Sequence, residues 1–187
     1  MTPGEAYRDI MDRTSDQPNQ PKTIATTALM WLTYAKERLH AEVVFDAIAA
    51  ELNVQVTEID SYDLVESCRS LVLLDSQTGR IWLAHETARS YLEGKFNKKD
   101  AEVSMAKRCM EFLNTTPFDM LSATSDGLGG YPGRHWAEHV REVEQELIHD
   151  VGDLLPFEFL VSRERRDLAL KLAGPFAPVE YDRDRID

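Results

Sequence analysis

Positive charge is in short supply against negative in this sequence. Lysine and arginine total 21 against 33 aspartates and glutamates, and the formal net charge is −12 over 187 residues. That balance opposes any task needing a broad anionic partner, such as DNA, RNA or a phospholipid surface. Cysteine is also scarce. The two present, Cys68 and Cys109, fall within apolar helical patterns and have no Cys-x-x-Cys neighbour. This excludes a zinc ribbon or a dithiol redox pair and fits reduced core thiols in an intracellular, cytoplasmic protein. No apolar run approaches the roughly 20 residues that span a bilayer. The polar, acidic N-terminus reads as no signal peptide. Gly-x-Ser-x-Gly, Walker A and Walker B runs are all missing.

What is present is a composition that folds. Hydrophobic residues make up 43% and charged residues 29%, as in one domain or a small domain with an extension. The organising stretch is Leu71 to Leu92. It predicts two strands, Leu71–Leu74 and Ile81–Ala84, joined by the turn Asp75–Arg80 with Gly79 available for positive φ, and then a helix. A lone hairpin is marginal in water, so it must lie on helices.

Three amphipathic helical patterns precede it, and a further short one in residues 1–13 places Tyr7, Ile10 and Met11 on one side. A polar, proline-punctuated linker, Thr14–Pro21, follows, and Thr23 is placed to cap the next helix. That helix carries Ile24, Ala28, Trp31, Leu32 and Ala35 at helical spacing. A second runs from about Ala41 to Leu52, buries Val44, Ala47, Ile48 and Leu52, and stops at Asn53. Val54–Ile59 alternates like an extended segment. Asp60 or Ser61 caps a third helix with Leu64, Val65, Cys68 and Leu71 inward. Three helices and a hairpin is the order of a winged helix.

After the wing, Asp100 is placed to cap a helix to about Leu113, with Met105, Ala106, Cys109, Phe112 and Leu113 inward. Residues 122–133 read as a glycine-rich loop without the Gly-Lys-Ser/Thr ending of a P-loop. A further helix starts near Arg134 and aligns Trp136, Val140, Val143 and Leu147. Leu154–Val161 and Arg165–Leu172 read as short helices, and the tail Pro178–Asp187 as frayed. The predicted class is therefore mainly α with a small β-hairpin, a winged-helix-like domain followed by a helical extension. The divisions are 1–22, an N-terminal helix and linker; 23–95, the winged helix; 96–175, the extension; and 176–187, the tail.

Two chemical readings compete with a plain interaction module. A DNA-reading winged helix needs Arg, Lys, Asn or Gln on the outer face of its third helix. The outward positions here are Tyr62, Asp63, Glu66, Ser67, Arg69 and Ser70, two of them acidic and one basic. At the wing tip Asp75 and Arg80 cancel, so the wing reads as a packing device. Separately, His135-Trp136-Ala137-Glu138-His139 spells H-x-x-E-H, the inverted zinc-peptidase pattern. Two histidines at i and i+4 share a helix side and can bind a metal. A third ligand would have to come from Glu142, Glu146 or Glu158, and nothing singles one out. Trp136 and Val140 on the same helix suggest core packing, so no metal and no catalytic residue is assigned. Arg163-Glu164-Arg165-Arg166 is a local basic patch that reads equally as a solvated helix start.

Several motifs in order resemble one family. Ala28-Leu29-Met30-Trp31-Leu32-Thr33-Tyr34-Ala35-Lys36-Glu37-Arg38-Leu39 looks like the helix that follows the NTPase module in NACHT-type STAND proteins of fungi, which often carry ankyrin repeats. Val65 to Val72, Leu83-Ala84-His85-Glu86-Thr87 with Tyr91-Leu92, Ala106 to Cys109 with Phe112-Leu113, and Tyr131 to His139 resemble later segments of that family, and Tyr7 to Arg13 resembles the end of its NTPase region. The likeness extends to about residue 145.

The resemblance implies a regulatory, NLR-like signalling piece without its own cofactor. Its partners would be an NTPase module on the N-terminal side and a repeat domain on the C-terminal side, with no nucleic acid and no membrane. It also implies a role for His85. In related plant and animal STAND receptors a Met-His-Asp motif after the wing reads the ADP phosphate, and Ala84-His85-Glu86 sits in a similar place with different neighbours. The competing expectation for His85 is a partly buried residue that caps the wing and bonds to backbone.

Overall fold

The structure is a computed structural model that describes residues 2–115 and 130–143. The chain divides into two compact units, Met1–Ala101 and Glu102–Asp187. Among the described residues the fold is mainly helical with one small antiparallel sheet.

The first unit opens with α1 (Pro3–Ser15), capped by Thr2, whose hydroxyl accepts from the Glu5 N–H while the Glu5 carboxylate accepts from the Thr2 N–H. This reciprocal pair satisfies two otherwise orphaned donors. α2 (Asn19–Tyr34) follows after only three residues. The expected linker Thr14–Pro21 is therefore mostly helix, and Thr14 is buried with its hydroxyl donating to the Ile10 carbonyl at 2.9 Å. Thr23 does not cap α2; it lies inside it. Pro21 is tolerated because it stands in the first turn, where its missing N–H would have no helical partner anyway.

α2 is the central element. Ile24, Ala25, Ala28, Leu29, Trp31 and Leu32 are buried, and the helix packs against its neighbours on several sides. They are α3 (Ala41–Leu52), α4 (Ser61–Ser67), α5 (Glu86–Glu93) and the strand β3 (Arg80–Leu83). At its C-terminal end the Thr33 carbonyl accepts a bond from the Arg89 guanidinium. A cation there meets the negative end of the helix. α3 ends as expected at Asn53, which adopts φ 53°. The N–H groups of Asn53 and Val54 return to the Ala50 and Ala49 carbonyls at 3.2 and 3.0 Å, a Schellman ending.

Val54–Ile59 is not extended. Val56–Glu58 forms a 3₁₀ turn, with the Glu58 carboxylate accepting from the Gln55 N–H at 2.9 Å. A local side-chain bond outweighs a weak alternating pattern over so few residues. Asp60 caps α4, its carboxylate accepting from the Asp63 N–H at 2.8 Å. Leu64, Cys68 and Leu71 are buried, although Leu71 lies beyond the end of the helix.

The hairpin pairs β2 (Val72–Asp75) with β3, in the register Val72 to Leu83 and Asp75 to Arg80. A third strand, β1 (Leu39–His40), pairs antiparallel with β3, giving the order β1-β3-β2. With α2, β1, α3, α4, β2 and β3 in chain order, the first unit has winged-helix topology. Asp75 accepts from the Gln77 N–H at 2.9 Å and the Thr78 hydroxyl at 2.7 Å, which folds the tip on itself. Gly79 takes φ +66°, open to glycine at little cost. α1 then docks on α5: the Tyr7 and Thr87 hydroxyls are 2.7 Å apart and the rings of Tyr7 and Tyr91 are 5.6 Å apart.

α6 runs Lys98–Thr115 and crosses the division between the units. Asp100 is in its first turn rather than at its cap; the Asn97 side chain accepts from the Lys99 N–H at 3.0 Å instead. In the second unit, α7 spans Gly130–Glu142. It starts four positions before the expected Arg134. Gly130, Tyr131, Pro132 and Gly133 form its buried first turn, so the predicted loop 122–133 is helical in its last four residues. Burial of small residues decides the conformation over their weak helix propensity. Ala106, Met110 and Val143 form a core cluster flanked by Val103 and Val140. Residues 122–129, Leu147, Leu154–Val161, Arg165–Leu172, the patch Arg163–Arg166 and the tail Pro178–Asp187 lie outside the described residues.

Candidate functional site

The exposed side of α4 and the wing beside it form the candidate interaction surface. Tyr62 is 71% exposed, and Asp63, Glu66, Arg69 and Ser70 are exposed with it. Ser67, expected to point outward, is buried; its carbonyl accepts from Gln17 at 3.0 Å, tying the α1–α2 junction to the end of α4. Bonding to the Glu66 carboxylate holds the Tyr62 phenol above its usual range. The carboxylates thus dominate locally as well as in sum. Arg69 and Ser70 both take positive φ, 50° and 67°, at the turn from α4 into β2. A cleft of about 680 Å³ lies between the α1–α2 junction and α4, with Arg13, Gln17, Asp63, Glu66 and Arg69 among its lining. Its charges are mixed.

At the wing, Asp75 and Arg80 cancel in sum but do not pair. Asp75 bonds within its turn, and the Thr78 hydroxyl and Gln77 N–H keep its carboxyl below the ordinary range. Arg80 instead donates to the Arg38 carbonyl at 2.8 Å. Arg38 stacks its guanidinium 4.5 Å from the centre of the Trp82 ring. Arg80 was visible in the sequence only as a wing-tip charge cancelling Asp75, and Arg38 not at all as part of a site. Arg38 lies just past a helix in sequence, and only the pairing of β1 with β3 brings it to the wing.

His85 stands between β3 and α5 in extended conformation, φ −142° and ψ 142°, and is exposed. Its side chain makes no capping bond. The expectation of a partly buried residue bonded to backbone is therefore corrected. Its carbonyl accepts from the Ala88 N–H at 3.0 Å. Tyr7, Thr87 and Tyr91 lie on the adjoining α1–α5 contact.

The H-x-x-E-H stretch is on α7, as its spacing required, but its second histidine is committed elsewhere. The His139 Nδ1 is 2.5 Å from a Glu102 carboxylate oxygen, and Nε2 is 2.8 Å from the Tyr131 hydroxyl. With both ring nitrogens engaged, His139 offers no lone pair to a metal. The His135 Nδ1 is 3.4 Å from Glu138. Glu142 is exposed, and Glu146 and Glu158 lie outside the described residues. Among the described residues no three His, Cys, Asp or Glu side chains are grouped to hold a metal. Glu102 carried no signal in sequence, where it looks like any solvated helical acid, and Tyr131 stood out only as the first residue of the family-like segment Tyr131 to His139. All three members of the set are buried.

Cys68 and Cys109 are buried thiols, and burial pushes Cys68 up to about 12. No helix among the described residues is long and apolar enough to cross a membrane. No family model, curated protein or solved structure matches the chain.

Proposed function

We propose that this chain is a non-catalytic regulatory module that docks on protein surfaces. Its setting is a NACHT-type STAND signalling protein, where it packs against the NTPase module and helps to hold the nucleotide-bound, closed form. The observation that carries the reading is the exposed face of α4. Where a DNA-reading winged helix needs cations, Asp63 and Glu66 are exposed, in a chain of net charge −12. Phosphate contacts depend on clustered lysine and arginine.

His85 gives the proposal its nucleotide link. An exposed imidazole just before α5 is able to donate to a phosphate oxygen presented by a neighbouring NTPase module. Within this chain it binds no nucleotide alone.

Two measurements test the reading. Fluorescence anisotropy with labelled duplex DNA at low salt should show no binding; salt-sensitive binding there would favour the nucleic-acid winged helix. Co-purification with a NACHT NTPase module encoded in the same reading frame or an adjacent gene should succeed in the presence of ADP. Failure to associate with and without ADP would remove the proposed partner.

A further inference from the structure

The register of the hairpin places Leu73 opposite Trp82 and Asp75 opposite Arg80. Alternation along a strand puts these four on one side of the sheet and buried Val72, Ile81 and Leu83 on the other. On the outer side Leu73 is 47% exposed and Trp82 is half-buried. Arg38 lies over the Trp82 ring, and Arg80 is bonded to the Arg38 backbone. His40, opposite Arg80 on β1, has its Nδ1 3.6 Å from Glu42. Among the described residues neither guanidinium has a carboxylate partner, and the nearest acid across the strand, Asp75, bonds to its own turn. Two arginines without a carboxylate partner, set around an exposed leucine and a half-buried tryptophan, run against the composition of a chain with 12 excess negative charges.

We propose that this outer face of the wing is a docking surface for an acidic protein segment, an extended stretch in which aspartate or glutamate alternates with apolar side chains. The inference rests on the docking reading above and names its face and the chemistry of its partner. A guanidinium stacked on an indole keeps its N–H edge for a planar carboxylate. Arg38 and Arg80 take the acids, and Leu73 with Trp82 takes the apolar side chains between them. The charge pattern favours a short peptide over a phosphate polymer. α4, which packs on β2, exposes Asp60, Asp63 and Glu66 and repels a long polyanion. A short segment senses mainly charges within the screening length of about 8 Å at physiological salt.

The test uses the whole chain and three labelled probes: a short peptide alternating glutamate with leucine, its lysine–leucine counterpart, and duplex DNA. The glutamate peptide should bind, more weakly as salt rises, and the lysine peptide should not. Arg38→Glu and Leu73→Ser, both at exposed positions, should each weaken binding about tenfold while leaving Tm unchanged. No binding, equal binding of the lysine peptide, or binding unaffected by both substitutions overturns the proposal. DNA binding that Arg38→Glu abolishes, without peptide binding, also overturns it. The two levels separate cleanly. Association with an NTPase module that Arg38→Glu leaves intact removes this face but keeps the docking reading. Peptide binding at the face by a chain that ignores the NTPase module does the reverse.

Discussion

The His139 imidazole and the Glu102 carboxylate meet at 2.5 Å with both side chains buried. Two titratable groups on α7 and α6 are thereby held out of water, with the Tyr131 hydroxyl closing the other ring nitrogen at 2.8 Å. Removing one member of such a pair is costly, because what remains has been desolvated for a partner that is gone. Glu102→Ala should destabilise the second unit by about 3–5 kcal/mol. Native-state hydrogen exchange is the suitable measurement: amides of α7 should open far more readily while those of α2 keep their protection. Unchanged α7 protection would show that the contact carries little.

The Cys68 thiol predicts an alkaline weakness. Its value is raised from 9.0 in the reference state to about 12 in the fold because burial disfavours the thiolate. The unfolded chain then holds fewer protons than the native one at high pH, and stability falls as pH rises. The contribution is fully present below about pH 9 and is lost progressively toward about pH 12. Urea unfolding of wild type and Cys68→Ala across that window should show the steeper decline in wild type. Iodoacetamide should label Cys68 only after denaturation.

Gly79 is fixed by two constraints. At φ +66° it occupies a region that other residues enter with strain, and an added Cβ would come 2.5 Å from the His40 Nε2. Gly79→Ala should therefore cost about 1–3 kcal/mol, read as a lower Tm. Combining it with His40→Ala should recover the part due to the clash and leave the part due to the backbone.

His85→Ala should change stability by less than about 0.5 kcal/mol, as expected for an exposed side chain with no capping bond. The same substitution should weaken ADP-dependent association with an NTPase module. A large fall in Tm would assign His85 a structural role instead.

The elements with strong local chemistry were legible in the sequence. α3 and its stop at Asn53, the cap at Asp60 and the hairpin around Gly79 all follow from periodicity, capping and turn residues. β1 was not, because two residues carry no period. Leu39 and His40 are a strand only through Ile81 and Arg80. The start of α7 was misread because Gly130, Pro132 and Gly133 break helices in isolation, and burial overrides them here. The candidate surface was half visible: the acids of α4 could be counted, whereas Arg38 on Trp82 depends on a tertiary approach. Within the buried set of Glu102, His139 and Tyr131, the sequence offers His139 as a metal ligand and Tyr131 only as part of a family-like segment, and nothing in it joins either to Glu102.

The stacking of Arg38 on Trp82 also makes the wing optically addressable. The chain has three indoles, and Trp31 and Trp136 are shielded at 2% and 5% exposure. Collisional quenching by acrylamide in the native state should thus report mainly on Trp82. A ligand settling over the wing would protect that emission, so the chain carries an intrinsic probe for occupancy without any dye.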